Sequence, residues 1–521
     1  MRDYRRNLST TEDTEDRRFK SEEKYMASVS AVSSVVASCN SATCFKFYVL
    51  VGNRETPVAP GPVFALVVLF AINLMNFFDR QIIGGVGEGI RREWGLSDSA
   101  LGLLGTVFTL LYAVVGLPLG RLSDRKERRK ILAGGVFLWS LLTAASGVAR
   151  NFSQLIVARL GVGIGEATCS PASTSLLGDL FPAAQRARAV AIWMLGLPLG
   201  LGLANGAGGW ILQNWGWRNA FYIAAVPGIL CAVAALVMRE PKRGMLEAHA
   251  VGDRRRAGNP YLLVLSIPTM LWLIASGALH NFNMYALGSF VAPFLVRFHK
   301  MNFMDAGWVA ACVYGFSGVI GLTGGGALAD YLYRRRVDGR LIVGTAAIVI
   351  TAPLMFLGLG RPRGDVVGFA LLMGTGSGVM FAYYSTVYST IHDVVEPSLR
   401  GTAMALYFFA MYVLGASLGP VGTGLASDYF TFQAASAAGA VAPLPFGDLM
   451  LAELRSLVGE SKGFDLRALE PFRAEGLHTA MYIVPTLAAI LSVALFAASR
   501  TVKKDVEKLQ AWMRTQTMKA S

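Results

Sequence analysis

Twelve times along its 521 residues the chain runs through about twenty mostly apolar residues before charge or turn chemistry interrupts it. A bilayer core of roughly 30 Å is crossed by about 20 residues of helix. The runs fall near 62–83, 99–120, 131–149, 153–177, 189–212, 219–238, 261–296, 307–328, 341–360, 366–391, 401–426 and 477–499. Hydrocarbon leaves no partner for an unpaired backbone group, so only helices and closed barrels span it. These runs are too long for barrel strands, which predicts an all-α membrane protein with twelve transmembrane helices. The seventh run is overlong, and a kink is expected near Pro293.

Charge then sets orientation. Hydrophobic residues make up 54% of the chain and charged ones 16%, yet the net charge is +14. A soluble nucleic-acid binder could be this basic but not this apolar, so no nucleic-acid partner is expected. Lys and Arg concentrate in the loops after even-numbered spans, as in Arg121, Arg125, Lys126, Arg128, Arg129 and Lys130, and at both termini. The positive-inside rule makes those loops and both termini cytoplasmic, in a plasma or bacterial inner membrane. Residues 1–57 read as a disordered tail, with a thirteenth helix over 28–51 left open. A six-helix bundle over 58–238, a cytoplasmic linker over 239–260 and a second bundle over 261–499 follow. The long loop 427–476 lies outside, and 500–521 form a cytoplasmic tail.

The two bundles echo each other. Gly120-Arg-Leu-Ser-Asp124 precedes a basic cluster with Arg125, Arg128 and Arg129, and Gly326-Ala-Leu-Ala-Asp330 precedes Arg334-Arg335-Arg336 six spans later. Pro182-Ala-Ala-Gln-Arg186 and Pro397-Ser-Leu-Arg400 form a second echo. Two six-helix halves in parallel orientation are implied. Asp124 suits a helix N-terminus, and the arginines suit carboxylates or membrane-lipid headgroups. Gly120, Asp124, Arg125, Arg128 and Asp330 are candidates for a latch between the halves. Topology signalling alone is the plainer reading of the arginines.

On these residues the chain resembles the major facilitator superfamily, whose signature loop it matches at Gly120, Leu122, Asp124, Arg125, Arg128 and Arg129. Glu127 stands where that family usually has glycine. Arg159, Gly163 and Gly165 resemble the family's pattern in span 4, and Trp217-Arg-Asn-Ala-Phe221 its start of span 6. The resemblance covers residues 62–500. It implies alternating access without ATP.

Of 48 Lys and Arg, only Arg80 and Arg159 fall within spans; of 34 acids, only Asp79 and Glu166 lie well inside them. Charge at this depth is costly unless paired or wetted, and marks a functional site by default. Arg159 and Glu166 are two helical turns apart and share a face; Asp79 and Arg80 point about 100° apart. Burial favours a protonated carboxyl and a neighbouring arginine an ionised one, so moving the arginine changes proton affinity. Asp79, Glu166, Arg80 and Arg159 are therefore the candidates for proton coupling. A permanent ion-pair lock is the structural alternative. Arg80 is the first candidate for an anionic headgroup, because guanidinium matches phosphate bidentately.

Asn76-Phe-Phe-Asp79-Arg80 together with Gly161-Val-Gly163-Ile-Gly165-Glu166 resembles the Spinster branch and its bacterial members. That resemblance implies transport of sphingosine-1-phosphate or lysophospholipid-like amphiphiles, linked to protons, with Asp79, Arg80 and Glu166 as functional residues. In the second half, His280, Asn281, Asn283 and Tyr285 in span 7 and Tyr383, Tyr384 and Tyr388 in span 10 are candidates for lining the substrate path. Packing is the competing reading for each. A drug or sugar-phosphate exporter, or an uncoupled scramblase or sensor, remains open.

Other signals are weak. Gly84–Gly89 and Gly374–Gly378 lack a following Gly-Lys-Ser/Thr, so no P-loop is expected. Cys169, Cys231 and Cys312 show no metal spacing and read as packing residues. No catalytic dyad, cofactor or metal is expected, and a monomer is.

Overall fold

The computed structural model describes residues 60–241, 259–396, 399–442, 445, 447–448, 451 and 466–518. The N-terminal tail, the linker 242–258 and residues 452–465 of the long loop lie outside the described residues. Helix is the only regular structure among those described.

Besides short helices, the described residues form twelve helical rods. They are α1 (Pro60–Trp94), α2 (Asp98–Arg125), α3 (Arg128–Val148), α4 (Phe152–Glu166 and Cys169–Leu180), α5 (Ala183–Met194 and Gly196–Trp215) and α6 (Trp217–Val237). The second half holds α7 (Pro268–Arg297), α8 (Phe303–Tyr333), α9 (Gly339–Leu359), α10 (Val366–Met380 and Ala382–Val394), α11 (Arg400–Ala437) and α12 (Arg473–Met481 and Ile483–Met518). Ten of the rods are long and apolar enough to cross a membrane. The other two are α4, broken at Ala167–Thr168, and α7, diluted by His280, Asn281 and Asn283.

Local chemistry fixes the starts. Ser97, Asn151, Asn302 and Asp365 each accept a hydrogen bond from the backbone three residues on, capping α2, α4, α8 and α10. Gly216, at φ 81°, makes the tight reversal between α5 and α6, a conformation a side chain would resist.

The structure corrects several boundaries. α1 runs to Trp94, eleven residues past the expected end at 83. The interruption near span 7 falls at Ser266–Ile267, between a short helix Pro260–Leu265 and Pro268, while Pro293 lies inside continuous helix. α11 continues to Ala437, so the start of the expected long loop is helical. Cys312 is exposed, not packed.

The halves repeat in detail. In the first, Arg128 at the start of α3 pairs with Asp179 near the end of α4. In the second, Arg340 at the start of α9 pairs with Asp393 near the end of α10 at 2.5 Å. α4 and α10 are both interrupted mid-rod, after Glu166 and at Phe381.

The halves meet at one end of the bundle, here the closed end, where α1 finishes and α2 begins. Gly84 of α1 lies against the main chain of Gly288 in α7, and Gly102 of α2 against that of Pro420 in α11. A β-carbon at either position would collide with backbone, so glycine permits the close approach. Gly202 and Gly206 of α5 face Phe316 and Trp308 of α8. At the opposite end, which carries the basic loops, a β-carbon at glycines 116, 324 and 401 on α2, α8 and α11 would meet no described atom within 4 Å. The tight glycine contacts between the halves thus lie at the closed end.

Candidate functional site

The depth charges divide into two groups on α1 and α4. Arg80 reaches Glu166, donating from Nε at 3.4 Å and from Nη2 at 3.3 Å to Oε2. Asn76, one turn earlier on α1, donates to the same oxygen at 3.0 Å and accepts from Arg80 at 3.2 Å. Asp79 points elsewhere, as adjacent helix positions must. Its carboxyl faces Trp139 and Thr143 of α3, and Arg159 donates to its main-chain oxygen at 2.8 Å. Arg159 and Glu166 are both buried, midway along and at the end of the first segment of α4.

Arg80 also bridges the halves. Its Nη1 donates to the hydroxyls of Tyr285 on α7 at 3.2 Å and Tyr412 on α11 at 3.4 Å. The guanidinium lies 4.3 Å from the ring centre of Tyr112, and Phe77, Phe108 and Tyr412 complete an aromatic surround. Such a cage stabilises a desolvated cation through the ring quadrupoles. Tyr314 and Tyr412 each sit on a π-helical turn, Ala311–Phe316 of α8 and Met411–Ala416 of α11. Single π turns inside α-helices are frequent at functional sites.

Polar capacity here is left unused. Glu166 Oε1, both carboxyl oxygens of Asp79, and Nε and Nη1 of Arg159 have no hydrogen-bond partner among the described residues. Buried polar groups are nearly always paired, so each exception calls for an explanation. These atoms could take up a proton, or a ligand atom that enters when the halves move.

The candidates of α7 and α10 lie behind this site, inside the second half. His280 stacks on Tyr383 at 3.9 Å and meets Tyr384 edge-on. Tyr383 is held by Ser276 and Tyr407. Asn281 packs against Gly415 of α11. Asn283, in the amide orientation that satisfies its surroundings, bonds Val484 and Ala488 of α12. Tyr388 contacts Tyr384 and Tyr407. Among the described residues, no hydrogen bond or ring contact joins these to Arg80 or Glu166, with Tyr285 the exception in α7. Tyr112, Phe108 and Tyr412 escape sequence reasoning because an aromatic residue in an apolar span carries no local signal. Asn76 is one helical turn from Arg80, and that spacing could have found it.

The described contacts of the latch candidates stay inside single halves. Arg128 donates to Glu240 at 2.8 Å besides pairing with Asp179, and Asp330 accepts from Arg340 at 3.0 Å. Gly120 lies within α2, and the side chains of Asp124 and Arg125 lie outside the described residues. Arg80, Arg159, Asp79 and Glu166 are joined by further buried charges nearer the helix ends. Glu88, Arg91, Asp98, Arg297, Asp428 and Arg473 are buried too.

Comparison with known proteins follows the same line. The family profile described as Major Facilitator Superfamily matches residues 69–420. A Mycolicibacterium smegmatis protein described as an MFS-type efflux pump is 30% identical over 371 residues, 70% of this chain and 85% of its own length. Protein spinster homolog 1 of Mus musculus is 30% identical over 393 residues, 70% of this chain and 72% of its own. A crystal structure of a bacterial homolog to the human lysosomal transporter Spinster, inward-facing and unoccupied, superimposes with a TM-score of 0.72 at 28% identity. The match covers 86% of this chain and 99% of that one.

Proposed function

The chain belongs to the Major Facilitator Superfamily and, within it, to the Spinster branch, and on that premise we propose that this multi-pass transporter moves an amphiphilic lipid with an anionic or zwitterionic head, driven by protons. The basic-loop end faces the cytoplasm in this reading, and the described state is open to it.

The observation that carries the proposal is the under-paired site around Arg80. A guanidinium whose Nη1 is held, among the described residues, by two tyrosine hydroxyls can exchange them for phosphate oxygens, a stronger, charge-assisted partnership. Those tyrosines belong to the other half, so headgroup binding would loosen one tie between the halves. The aromatic surround suits the apolar portion of an amphiphile. Glu166 shares Arg80 with the incoming anion and keeps one oxygen free for a proton. Protonating Glu166 would release Arg80 to the headgroup, and deprotonation would draw it back. Asp79 and Arg159 act as the second pair in this scheme, and Tyr384 and His280 shape the wall behind Tyr285.

Export of drug-like solutes is the second reading, favoured by the efflux-pump relative that matches over 85% of its length. Competition separates the two. In proteoliposomes, a labelled lysophospholipid or sphingosine-1-phosphate should enter at a rate that unlabelled lysolipid suppresses and hexose phosphate or amphipathic cations do not. The Arg80→Gln protein should lose this uptake at least tenfold. Suppression by the cations alone would replace the lipid reading with the exporter one.

A further inference from the structure

At the basic-loop end of the second half lies a cavity of about 190 Å³ that has no part in the substrate site. It sits between the short helix Pro260–Leu265, the start of α7, the turn from α10 to α11, and the stretch of α12 beyond Arg500. Two carboxylates stand on its wall, Glu396 from the turn and Asp505 from α12, only 5% and 6% exposed. Lys508, three residues on from Asp505 and on the same face of α12, stands exposed at the rim. Leu263, Leu399 and Leu509 supply much of the apolar lining.

Helix capping accounts for one oxygen of Asp505. Its Oδ2 accepts from the Thr269 backbone nitrogen at 3.0 Å and from the Thr269 hydroxyl at 2.7 Å, so α12 caps the start of α7. A carboxylate is favourable at a helix N-terminus. No described hydrogen bond reaches the other oxygen, Oδ1, on a side chain that lines the cavity. Capping does not account for Glu396 either. A second carboxylate on the wall of one cavity adds repulsion that a cation inside it relieves. Lys508 brings positive charge to the mouth, but no described ion pair joins it to either acid.

Depth decides which cations reach this place. α12 leaves its apolar stretch at Arg500, Lys503 and Lys504. Asp505 lies five residues beyond Arg500, about 7.5 Å along the helix. Headgroups fill roughly the outer 5–8 Å on each side of a bilayer, so the cavity stands at headgroup level. The short helix beside it turns Tyr261 and Leu262 outward, 52% and 66% exposed, as a helix lying in the interface does.

The lining narrows the head. A primary ammonium carries three N–H donors, which suit Asp505 and Glu396, and a phosphate two carbons away would meet Lys508 at the rim. A choline head has no N–H to donate and is ordinarily held by an aromatic cage; no aromatic side chain is among the described residues that line this cavity. A serine head would bring a third carboxylate against two. At roughly 30 Å³ per water, the space equals about six waters. That holds a headgroup, while acyl chains would leave past Leu262 into the bilayer.

We propose that this cavity is a headgroup site for an aminophospholipid of the phosphatidylethanolamine type, drawn from the leaflet at the basic-loop end, with its ammonium between Glu396 and Asp505 and its phosphate on Lys508. Every wall belongs to the second half. An occupant therefore ties the α10–α11 turn to α7 and α12 without entering the path at Arg80.

The test uses delipidated full-length protein in detergent, titrated with dioleoyl phosphatidylethanolamine and read by native mass spectrometry. No transport is measured, so failure here leaves the proposed function standing. One molecule per chain should be retained, at least fivefold more than dioleoyl phosphatidylcholine, phosphatidylserine or phosphatidylglycerol at equal concentration. Glu396→Gln should lower that retention at least fivefold. Asp505→Asn, which keeps an oxygen for the Thr269 cap, should do the same. Lys508→Glu, at an exposed position, should weaken it severalfold and serves if the buried variants fail to fold. Equal retention of the four lipids, or folded cavity variants that retain phosphatidylethanolamine as the parent does, would overturn the proposal. Loss of retention in Arg80→Gln but not in the cavity variants would move the lipid to the substrate site and overturn it too. So would displacement by equimolar spermidine, which would make this a site for a soluble amine.

Discussion

Two buried charge clusters sit on α1, a few turns apart, and differ in how fully they are satisfied. At the closed end, Arg297 makes four hydrogen bonds to two carboxylates, and both oxygens of Asp98 and of Glu88 are engaged. At mid-depth, among the described residues, Glu166 has one oxygen without a hydrogen bond, Asp79 two, and Arg159 two nitrogens. Full pairing makes a clamp with a single preferred geometry. Partial pairing leaves capacity for something that arrives and leaves. Burial of charge alone would not distinguish the two; counting unused donors and acceptors does.

The contrast is breakable. Removing one partner from a buried pair typically costs about 3–5 kcal/mol, so Arg297→Gln should lower thermal stability in detergent by that order. A melting temperature matching the parent would show that the clamp adds nothing to the stability of the closed state. Crowding the α2–α11 seam comes next: Gly102→Val sets a side chain against the Pro420 main chain, for about 1–3 kcal/mol, read by the same melt. Tyr412→Phe deletes one hydrogen bond to Arg80 and should cost about 0.5–1.5 kcal/mol. Smallest is Asp79→Asn, expected within about 1 kcal/mol of the parent, because the amide keeps the shape and an acceptor oxygen toward Trp139 and Thr143. If Asp79→Asn instead destabilises as strongly as Arg297→Gln, the distinction between clamp and site fails.

The sequence exposed the fold because apolar runs of spanning length need no long-range information. The paired loop motifs likewise announced two related halves, and the structure repeats them in the Arg128–Asp179 and Arg340–Asp393 contacts. Arg80 and Glu166 were visible as charge where charge is expensive. Glu88, Arg91 and Arg297 were not, since charge near the end of an apolar run looks like the start of a loop. The partners that join Arg297 to Glu88 and Asp98 lie 209 and 199 residues apart in the chain, and burial there depends on α1 continuing to Trp94. The aromatic surround of Arg80 was hidden for a related reason. Phe108, Tyr112 and Tyr412 come from two helices in different halves and have no spacing in common.

Uptake of labelled lysophospholipid into proteoliposomes, with and without an imposed pH gradient, tests the central claim most directly, comparing the parent protein with Glu166→Gln. The account predicts that a gradient drives the parent to accumulate substrate at least severalfold above equilibrium. Glu166→Gln should fold normally and reach equilibrium only, whatever the gradient. Equal accumulation by both proteins, or no response of the parent to the gradient, would contradict it.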